Sequence, residues 1–326
     1  MSEQPMDRWP TVSVVVPVLN EAPHLRDAVT AILQQDYPQP FQVCLAVGPS
    51  QDGTEDVAAT IAAAEPRVLV VANPTGRTPA ALNVAVAATD SEVVVRVDGH
   101  SELSPGYIRR AVETLHRTGA VNVGGVQWAQ GTTPFERAVA TAMTSRAGTG
   151  GARFHVGGAE GSVDTVYLGV FRRAALLDAG GFDERLTRNQ DYELNIRLRE
   201  AGGIVWFDPQ LRVSYRPRRT VRRLARQYFE YGQWKRAVVR LHPDSLKLRQ
   251  VAPVVVTAAV AVGTVGALVT PWALVLPIGY LGAVSVAAVL EDAGNAPRIA
   301  TALATMHLSW GVGFLTARPR RMLGNH

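Results

Sequence analysis

The first hundred residues alternate between short apolar runs and segments with helical periodicity. Residues 12–16 form a valine-rich run followed by Pro17, which is typical of a buried strand. In residues 22–35, apolar side chains recur every three or four positions, as on one face of a helix. Strands separated by helices of about 10–15 residues are typical of parallel βαβ units. The predicted strands are residues 12–16, 41–47, 68–71 and 92–97, and the predicted helices are residues 22–35, 54–64 and 78–88.

The C-terminal part of the chain is strongly apolar. Residues 251–290 contain no charged side chain. A helix needs about 20 apolar residues to cross a bilayer, so this stretch is long enough for two crossings. Thr270 and Pro271 supply a turn between them. The predicted spans are residues 251–269 and 271–290, and residues 299–317 form a third apolar segment within a membrane region of residues 251–326.

Residues 216–250 precede the apolar region and have a different pattern. Between residues 221 and 241, apolar and aromatic residues recur every three or four positions, and arginines occupy the other faces. This pattern predicts basic amphipathic helices at an anionic membrane surface. A nucleic-acid surface is the rival interpretation. We prefer the membrane because the apolar stripe is continuous and an apolar segment follows directly.

The charge distribution supports the same three-part organisation. The chain has 326 residues and a net charge of +5, with a pI near 9.6. Residues 1–215 carry 18 basic and 24 acidic side chains, whereas residues 216–250 carry 11 basic and 2 acidic ones. The basicity is therefore local, and it does not indicate a nucleic-acid partner. A single cysteine, Cys44, excludes a disulfide within the chain and a multi-cysteine zinc site.

Polar and ionisable residues follow each predicted strand. Ligands of open parallel sheets bind beyond the carboxyl ends of the strands, so these loops predict one composite site. No GxGxxG follows a strand and no GxxxxGK[ST] is present, so dinucleotide and P-loop sites are not indicated. The strand-end residues include Pro17, Asn20, Glu21, Asp52, Arg77, Asp98 and His100.

Four motifs in this order resemble the family 2 glycosyltransferases. They are VSVVVPVLNEAPHLRDAVTAILQQDYP, NPTGRTPAALNVAV, DGH and GGFDERLTRNQDYELNIRLREAGG, and the resemblance covers roughly residues 11–240. The chain looks most like the membrane-associated branch that builds bacterial exopolysaccharides, including succinoglycan-type enzymes. The resemblance implies an α/β GT-A (Rossmann-like) fold with a mixed, mostly parallel sheet flanked by helices, followed by amphipathic and transmembrane helices. Residues 1–215 would be the catalytic domain.

The resemblance implies a divalent metal, Mg²⁺ or Mn²⁺, as cofactor. Transfer from a nucleotide sugar leaves a diphosphate, whose negative charge a cation offsets. Such cations bind through one or two carboxylates and the phosphates. Asp98 and His100 are the predicted metal residues. The family motif is usually Asp-x-Asp, and His100 at its third position suits Mn²⁺ better than Mg²⁺.

The residues that the resemblance places at the donor come from all four strand ends. Arg77 would contact the diphosphate, because its guanidinium matches phosphate geometry. Each assignment has a structural alternative: a solvated loop for Arg77, a helix N-terminal charge for Glu21, a plain turn for Asp52 and a tie between loops for Asn83. The predicted donor-binding residues are Pro17, Asn20, Glu21, Asp52, Arg77, Asn83 and Asp98.

Asp191 is the predicted catalytic base. It begins a predicted helix after Gln190, at a position where the family carries an acidic pair whose aspartate deprotonates the acceptor hydroxyl. Inversion by direct displacement needs one base opposite the leaving group. The sequence contains no specific sign of the nucleophile that a retaining mechanism needs. The structural alternative for Asp191 is a helix N-terminal charge.

Two segments are predicted to contact the acceptor. The glycine-rich stretch 148–161 predicts a loop on the acceptor side, with Arg153 and His155 as contacts. The sequence QYFEYGQWKR resembles the Gln-x-x-Arg-Trp region of processive relatives, although its spacing differs. It adds Gln233, Trp234 and Arg236, and Trp234 is equally compatible with a structural anchor.

The predicted function is that of an inverting glycosyltransferase with a nucleotide-sugar donor and a lipid-linked (polyprenyl) acceptor. One alternative is a synthase that adds sugar to polyprenyl phosphate itself. A second is a non-catalytic, membrane-bound nucleotide-sugar-binding protein. The positive-inside rule places the catalytic domain at the cytoplasmic face of the cell membrane, in contact with membrane lipid. A third crossing would place Arg318, Arg320 and Arg321 outside, against the same rule, so either the third apolar segment lies in the interface or re-enters the membrane and the C-terminus is cytoplasmic, or the rule fails here.

Overall fold

The computed structural model describes residue 6 and residues 8–324. It divides into two compact units. The first comprises Met1–Trp128 and Gly158–Tyr215, and the second comprises Ala129–Gly157 and Arg216–His326. The predicted boundary at residue 215 coincides with one junction, but residues 129–157 group with the C-terminal part of the chain. The division into catalytic, interfacial and membrane regions stays a prediction.

A mixed eight-stranded sheet forms the centre of the first unit, in the order β3-β2-β1-β4-β7-β5-β8-β6. Strands β3, β2, β1 and β4 are parallel, whereas β7 is antiparallel to β4 and to β5. This architecture confirms the predicted fold class. The strands are β1 (Val12–Val18), β2 (Gln42–Val47), β3 (Val68–Ala72), β4 (Val93–Arg96), β5 (Asn122–Ala129), β6 (Gly161–Ser162), β7 (Tyr167–Arg172) and β8 (Val205–Tyr215).

Helices cover both faces of this sheet. Val14 and Val16 of β1 belong to a core shared with α1, α2 and α4, and Val15 belongs to a core shared with α3, α8 and α9. Successive side chains of a strand point to opposite faces, so a strand buried on both sides reads as a continuous apolar run. The helices of this unit are α1 (Leu25–Leu33), α2 (Thr54–Ala64), α3 (Thr78–Ala87), α4 (Tyr107–Thr118), α8 (Arg173–Asp178) and α9 (Gln190–Glu200).

The second unit is helical. Part of the glycine-rich stretch that was predicted to be a loop forms two short helices, α6 and α7. Three helices of the described chain are long and apolar enough to cross a membrane: Leu248–Gly266, Pro271–Glu291 and Ala293–Thr316. The helices of this unit are α5 (Pro134–Thr144), α6 (Arg146–Thr149), α7 (Arg153–Val156), α10 (Val221–Leu241), α11 (Leu248–Gly266), α12 (Val275–Glu291), α13 (Ala296–Thr316) and α14 (Pro319–Met322).

Helices α10 and α13 pack closely because a glycine of each helix faces the backbone of the other helix. A Cβ at Gly232 of α10 would lie 2.0 Å from the carbonyl oxygen of Trp310, and one at Gly313 of α13 would lie 2.1 Å from that of Phe229. Small residues at such crossings let helices approach closely, including in membrane proteins. The helix predicted for residues 221–241 is present, and its side that carries Phe229, Gly232 and Arg236 packs against the third apolar segment.

Replacing Gly232 with alanine is expected to lower the free energy of unfolding by about 1–3 kcal/mol, because the added methyl group must push the α10 and α13 backbones apart. Thermal unfolding of the detergent-solubilised chain measures this change. Gly279→Ala on α12 is the matched control, since nothing beyond its chain neighbours and the backbone of its own helix turn lies within 4 Å of its Cβ position. The control should unfold at the same temperature or slightly higher, because alanine favours helix. Equal destabilisation by both changes would contradict the close crossing.

Candidate active site

The loops after β1 and β2 are tied together by their own polar side chains. Asn20 adopts a left-handed conformation (φ 56°), and its Oδ1 accepts a hydrogen bond of 2.9 Å from the Gln51 N–H. The Asp52 carboxylate accepts one of 3.1 Å from the Ala22 N–H and another from the Thr54 hydroxyl. The Thr54 hydrogen bond lowers the pKa of Asp52, so this carboxyl is ionised at neutral pH. Asn20 and Asp52 thus fix the two loops, and their donor contact stays a prediction.

Pro17 lies inside a strand and not after it. Strand β1 runs to Val18, two residues beyond its predicted end, and Pro17 is in register with Ala46 of β2. The pairing of β1 with β4 ends earlier, at Val15. A proline is tolerated here because its missing N–H removes no hydrogen bond from that pairing.

A buried arginine, Arg96, is the charged centre at the end of β4. Its side chain is 5% exposed, and its Nη2 donates a hydrogen bond of 3.1 Å to Oδ1 of Asp98. Its Nη1 lies 4.0 Å from Oδ2 of Asp191. Burial by itself lowers the pKa of Arg96, but the charges of Asp98 and Asp191 outweigh burial and raise it. The guanidinium is therefore a permanent cation between the two predicted functional carboxylates.

Sequence reasoning missed Arg96, although a signal was present. The residue interrupts the apolar strand in VVVRVDGH, and a charge inside a buried strand is costly unless it is paired. Its Nε and Nη1 have no hydrogen-bond partner among the described residues. Buried donors are rarely left unbonded in native structures, and each such group needs an explanation. Nη1 does lie within ion-pair distance of Asp191, and this links the buried arginine to the second predicted functional carboxylate.

Asp191 lies in the first turn of α9, which begins at Gln190. The preceding residue, Asn189, is left-handed (φ 60°), so the chain turns sharply into the helix. The Asp191 side chain is 29% exposed and that of Asp98 is 24% exposed. Both carboxylates are therefore accessible to a ligand while they share one buried counter-charge. Gln190 is buried, and its Oε1 has no partner in the described part of the chain.

Asn83 on α3 holds the turn that leads to Asp191. Its Oδ1 accepts a 2.9 Å hydrogen bond from the Phe182 N–H, and its Nδ2 donates to the Phe182 carbonyl at 2.8 Å and to Oε1 of Glu184 at 3.0 Å. Arg77 reaches the same turn, with its Nη1 3.4 Å from the Glu184 carbonyl oxygen. These contacts match the structural alternative for Asn83, a tie between loops. They also place the exposed Arg77 in contact with the segment that carries the predicted base.

Glu21 and His100 come together from the ends of β1 and β4. Oε1 of Glu21 lies 2.8 Å from Nδ1 of His100. A carboxylate that accepts a hydrogen bond from one imidazole N–H fixes the tautomer of the ring. The other ring nitrogen then carries the lone pair that can bind a metal, as in metal-ligating histidines. The described residues contain no group of three or more His, Cys, Asp or Glu side chains that could hold a metal. A cation held by Asp98 and His100, with its remaining ligands from donor phosphates, stays a prediction.

The predicted acceptor residues belong to the second unit and occupy two helices. Arg153 and His155 lie on α7, where burial lowers the pKa of His155 to about 3 with a further contribution from Arg249. His155 is therefore neutral at physiological pH. Gln233, Trp234 and Arg236 lie on α10, where the Arg236 guanidinium lies 5.1 Å from the centroid of the Phe314 ring. An acceptor contact by any of the five stays a prediction.

Comparison with known proteins identifies the family of this chain. Residues 13–179 match the family described as Glycosyl transferase family 2. The chain is 33% identical to the succinoglycan biosynthesis protein ExoA of Rhizobium meliloti (strain 1021), over 92% of this chain and 93% of that protein. It is 21% identical to a dolichyl N-acetyl-alpha-D-glucosaminyl phosphate 3-beta-D-2,3-diacetamido-2,3-dideoxy-beta-D-glucuronosyltransferase of Methanococcus voltae, over 70% of this chain and 74% of that enzyme.

A solved structure shares the fold. It is the mannosyltransferase PcManGT from Pyrobaculum calidifontis in complex with GDP-Man and Mn²⁺. The TM-score is 0.66 at 21% identity, and the match covers 95% of this chain and 88% of that one. The likeness concerns the fold alone at this level of identity.

Proposed function

The chain belongs to glycosyl transferase family 2, and we propose that it transfers a sugar from a nucleotide-sugar donor to a lipid-linked acceptor, with inversion at the anomeric carbon. The product would be a cell-surface polysaccharide or glycolipid. The observation that carries this proposal is the pair of accessible carboxylates, Asp98 and Asp191, that share the buried Arg96 at the carboxyl end of β4.

Each residue of this pair has a different role in the proposed reaction. Asp98, with His100, would hold a divalent cation, which when bound offsets negative charge on the diphosphate leaving group. Arg77 would bind the same diphosphate through its guanidinium. Asp191 would accept the proton of the acceptor hydroxyl as that oxygen attacks the anomeric carbon. Arg96 touches no substrate in this scheme and is a positioning residue that orients both carboxylates.

The relatives support the proposed substrates. ExoA is a succinoglycan biosynthesis protein, which supports a polysaccharide product. The Methanococcus voltae enzyme acts on a sugar linked to dolichyl phosphate, which supports a lipid-linked acceptor. The solved mannosyltransferase holds GDP-Man and Mn²⁺, which supports a nucleotide-sugar donor and a divalent cation.

The apolar helices and the basic helix support a location at the cytoplasmic face of the membrane. Helices α11 and α12 would form a hairpin across the bilayer. Helix α10 carries exposed arginines and packs along α13, and charges of this kind are costly inside a bilayer. This pairing supports the prediction that the third apolar segment does not cross the bilayer completely and that the C-terminus is cytoplasmic.

The proposal is tested by donor binding with and without metal. We expect one class among UDP-, GDP- and TDP-sugars to bind, and to bind about tenfold or more weakly when EDTA replaces Mn²⁺. Asp98→Asn should weaken binding to a similar extent. Asp178→Asn, at an exposed position in the last turn of α8, is the matched control and should bind normally. Tight donor binding by Asp98→Asn in EDTA would contradict the metal assignment, and absence of donor hydrolysis and transfer would favour the non-catalytic alternative.

A further inference from the structure

A strongly basic cavity of about 670 Å³ lies in the second unit, between the C-terminal end of α10 and the segment that follows α13. Its described lining includes no acidic side chain. We name it the arginine cavity after five arginines: Arg236, Arg240, Arg318, Arg320 and Arg321. Arg318, Arg320 and Arg321 follow the third apolar segment and have no role in the proposed reaction or in the predicted acceptor site, whereas Arg236 is also a predicted acceptor contact.

The arginines of the arginine cavity have no carboxylate partner in the described part of the chain. None of its five guanidinium groups forms an ion pair with another described residue. Other arginines of the same unit do form such pairs. Arg219 contacts the buried carboxylate of Glu136, and Arg226 contacts Glu230 on the next turn. All five side chains are exposed, so solvent and salt screen part of their mutual repulsion, and a bound anion would offset the rest.

The walls and position of the cavity favour a lipid over a soluble ion. Val239 and Leu315 contribute apolar surface, and Phe314 lies beneath the Arg236 guanidinium. Pro243 also lines the cavity, and the apolar helix α11 begins five residues later, at Leu248. Five residues span at most about 18 Å, so the cavity lies near the depth at which a membrane lipid places its headgroup. A free anion would make no use of the apolar walls.

We propose that the arginine cavity binds the headgroup of a membrane lipid that ends in a phosphate or diphosphate. Arginine forks match phosphate oxygens, and basic pockets beside membrane helices bind multiply charged lipid headgroups. Five positive charges fit a headgroup with two or more negative charges better than a phosphodiester with one. The inference rests on the membrane association in the proposed function, but it does not depend on the assignments of Asp98 and Asp191.

The test compares two lipids that differ in their phosphate. The detergent-solubilised full chain is titrated with fluorescent phosphatidic acid, which ends in a phosphomonoester, and with fluorescent phosphatidylglycerol, which carries a phosphodiester. We expect the phosphomonoester lipid to bind about tenfold more tightly, and the triple variant R318Q/R320Q/R321Q to lose about tenfold or more of that affinity. The thermal unfolding temperature of the variant confirms that it is folded.

A charge-matched variant separates this site from general attraction to anionic lipid. R222Q/R223Q/R226Q removes three arginines from the N-terminal part of α10, outside the cavity, and should keep the preference for the phosphomonoester lipid. Equal losses in both triple variants, or equal binding of the two lipids, would overturn the proposal. Inorganic diphosphate that competes as well as the lipid would also overturn it, by showing that the ligand is a soluble anion. Because the readout is lipid binding, loss of sugar transfer in another experiment would leave this result unaffected.

Discussion

Asp191→Asn is expected to lower the turnover number by about 10²–10⁴-fold while the affinity for the donor stays within about twofold. The amide cannot accept the proton of the acceptor hydroxyl, but it keeps the size of the carboxylate. Asp191 is 29% exposed and lies 4.0 Å from the Arg96 guanidinium, so the substitution removes an accessible carboxylate and leaves the ion pair between Arg96 and Asp98 intact. Steady-state rates of transfer and donor binding by calorimetry measure the two effects separately.

The same variant distinguishes the alternatives for the acceptor. A phosphate acceptor is already ionised at neutral pH, so a polyprenyl-phosphate sugar synthase has little need for a base. A small loss of turnover in Asp191→Asn would therefore favour that alternative and contradict the base assignment. Asp178→Asn serves again as the control, and it should transfer sugar at the unsubstituted rate. Full activity in both variants, with both folded, would remove Asp191 from the mechanism.

Arg96→Met is expected to lower kcat by about 10²-fold or more, because misplacement of reacting groups has effects of this size. Without the guanidinium, Asp98 and Asp191 lose the cation that holds both of them. We expect the free energy of unfolding to change by only about 1 kcal/mol. The lost ion pair with Asp98 destabilises the fold, but the substitution also removes two buried donors that have no described partner. The kcat would thus fall strongly while the free energy of unfolding stays nearly the same. If Arg96 were purely structural, both would fall together.

Two further variants sharpen the test of Arg96. Arg96→Lys keeps the charge but loses the fork that reaches two carboxylates, so its kcat should fall between that of the unsubstituted chain and that of Arg96→Met. Arg67→Met removes an arginine that pairs with Glu65 within one half-buried turn, and its activity should not change. The role of Arg96 would be wrong if Arg96→Met kept full kcat. It would be structural if Arg96→Met and Arg96→Lys lost activity only in proportion to the fraction unfolded.

Local patterns were sufficient for the fold class. Side-chain periodicity identified β1 to β4 and the helices between them, because burial on both faces of the sheet requires continuous apolar runs. The rule that ligands bind beyond strand ends then drew attention to Glu21, Asp98 and His100, and the structure brings these strand ends together. The lengths of the segments without charged residues were enough to identify three helices that are apolar enough to cross a membrane. These properties depend on residues that are neighbours in the chain, so the sequence contains them directly.

Only the tertiary structure decided which distant side chains meet. Arg96 contacts Asp191, almost a hundred residues later, and the sequence showed only an arginine in an apolar strand. Asn83 reaches the turn before α9, and the arginine cavity joins the end of α10 to the segment after α13. Pairings of this kind depend on how helices and strands pack against each other. The periodicity of the sequence does not predict this packing. The sequence thus determined the elements and most of the chemical groups at the site, whereas packing determined which charges share a partner and which five arginines face one cavity.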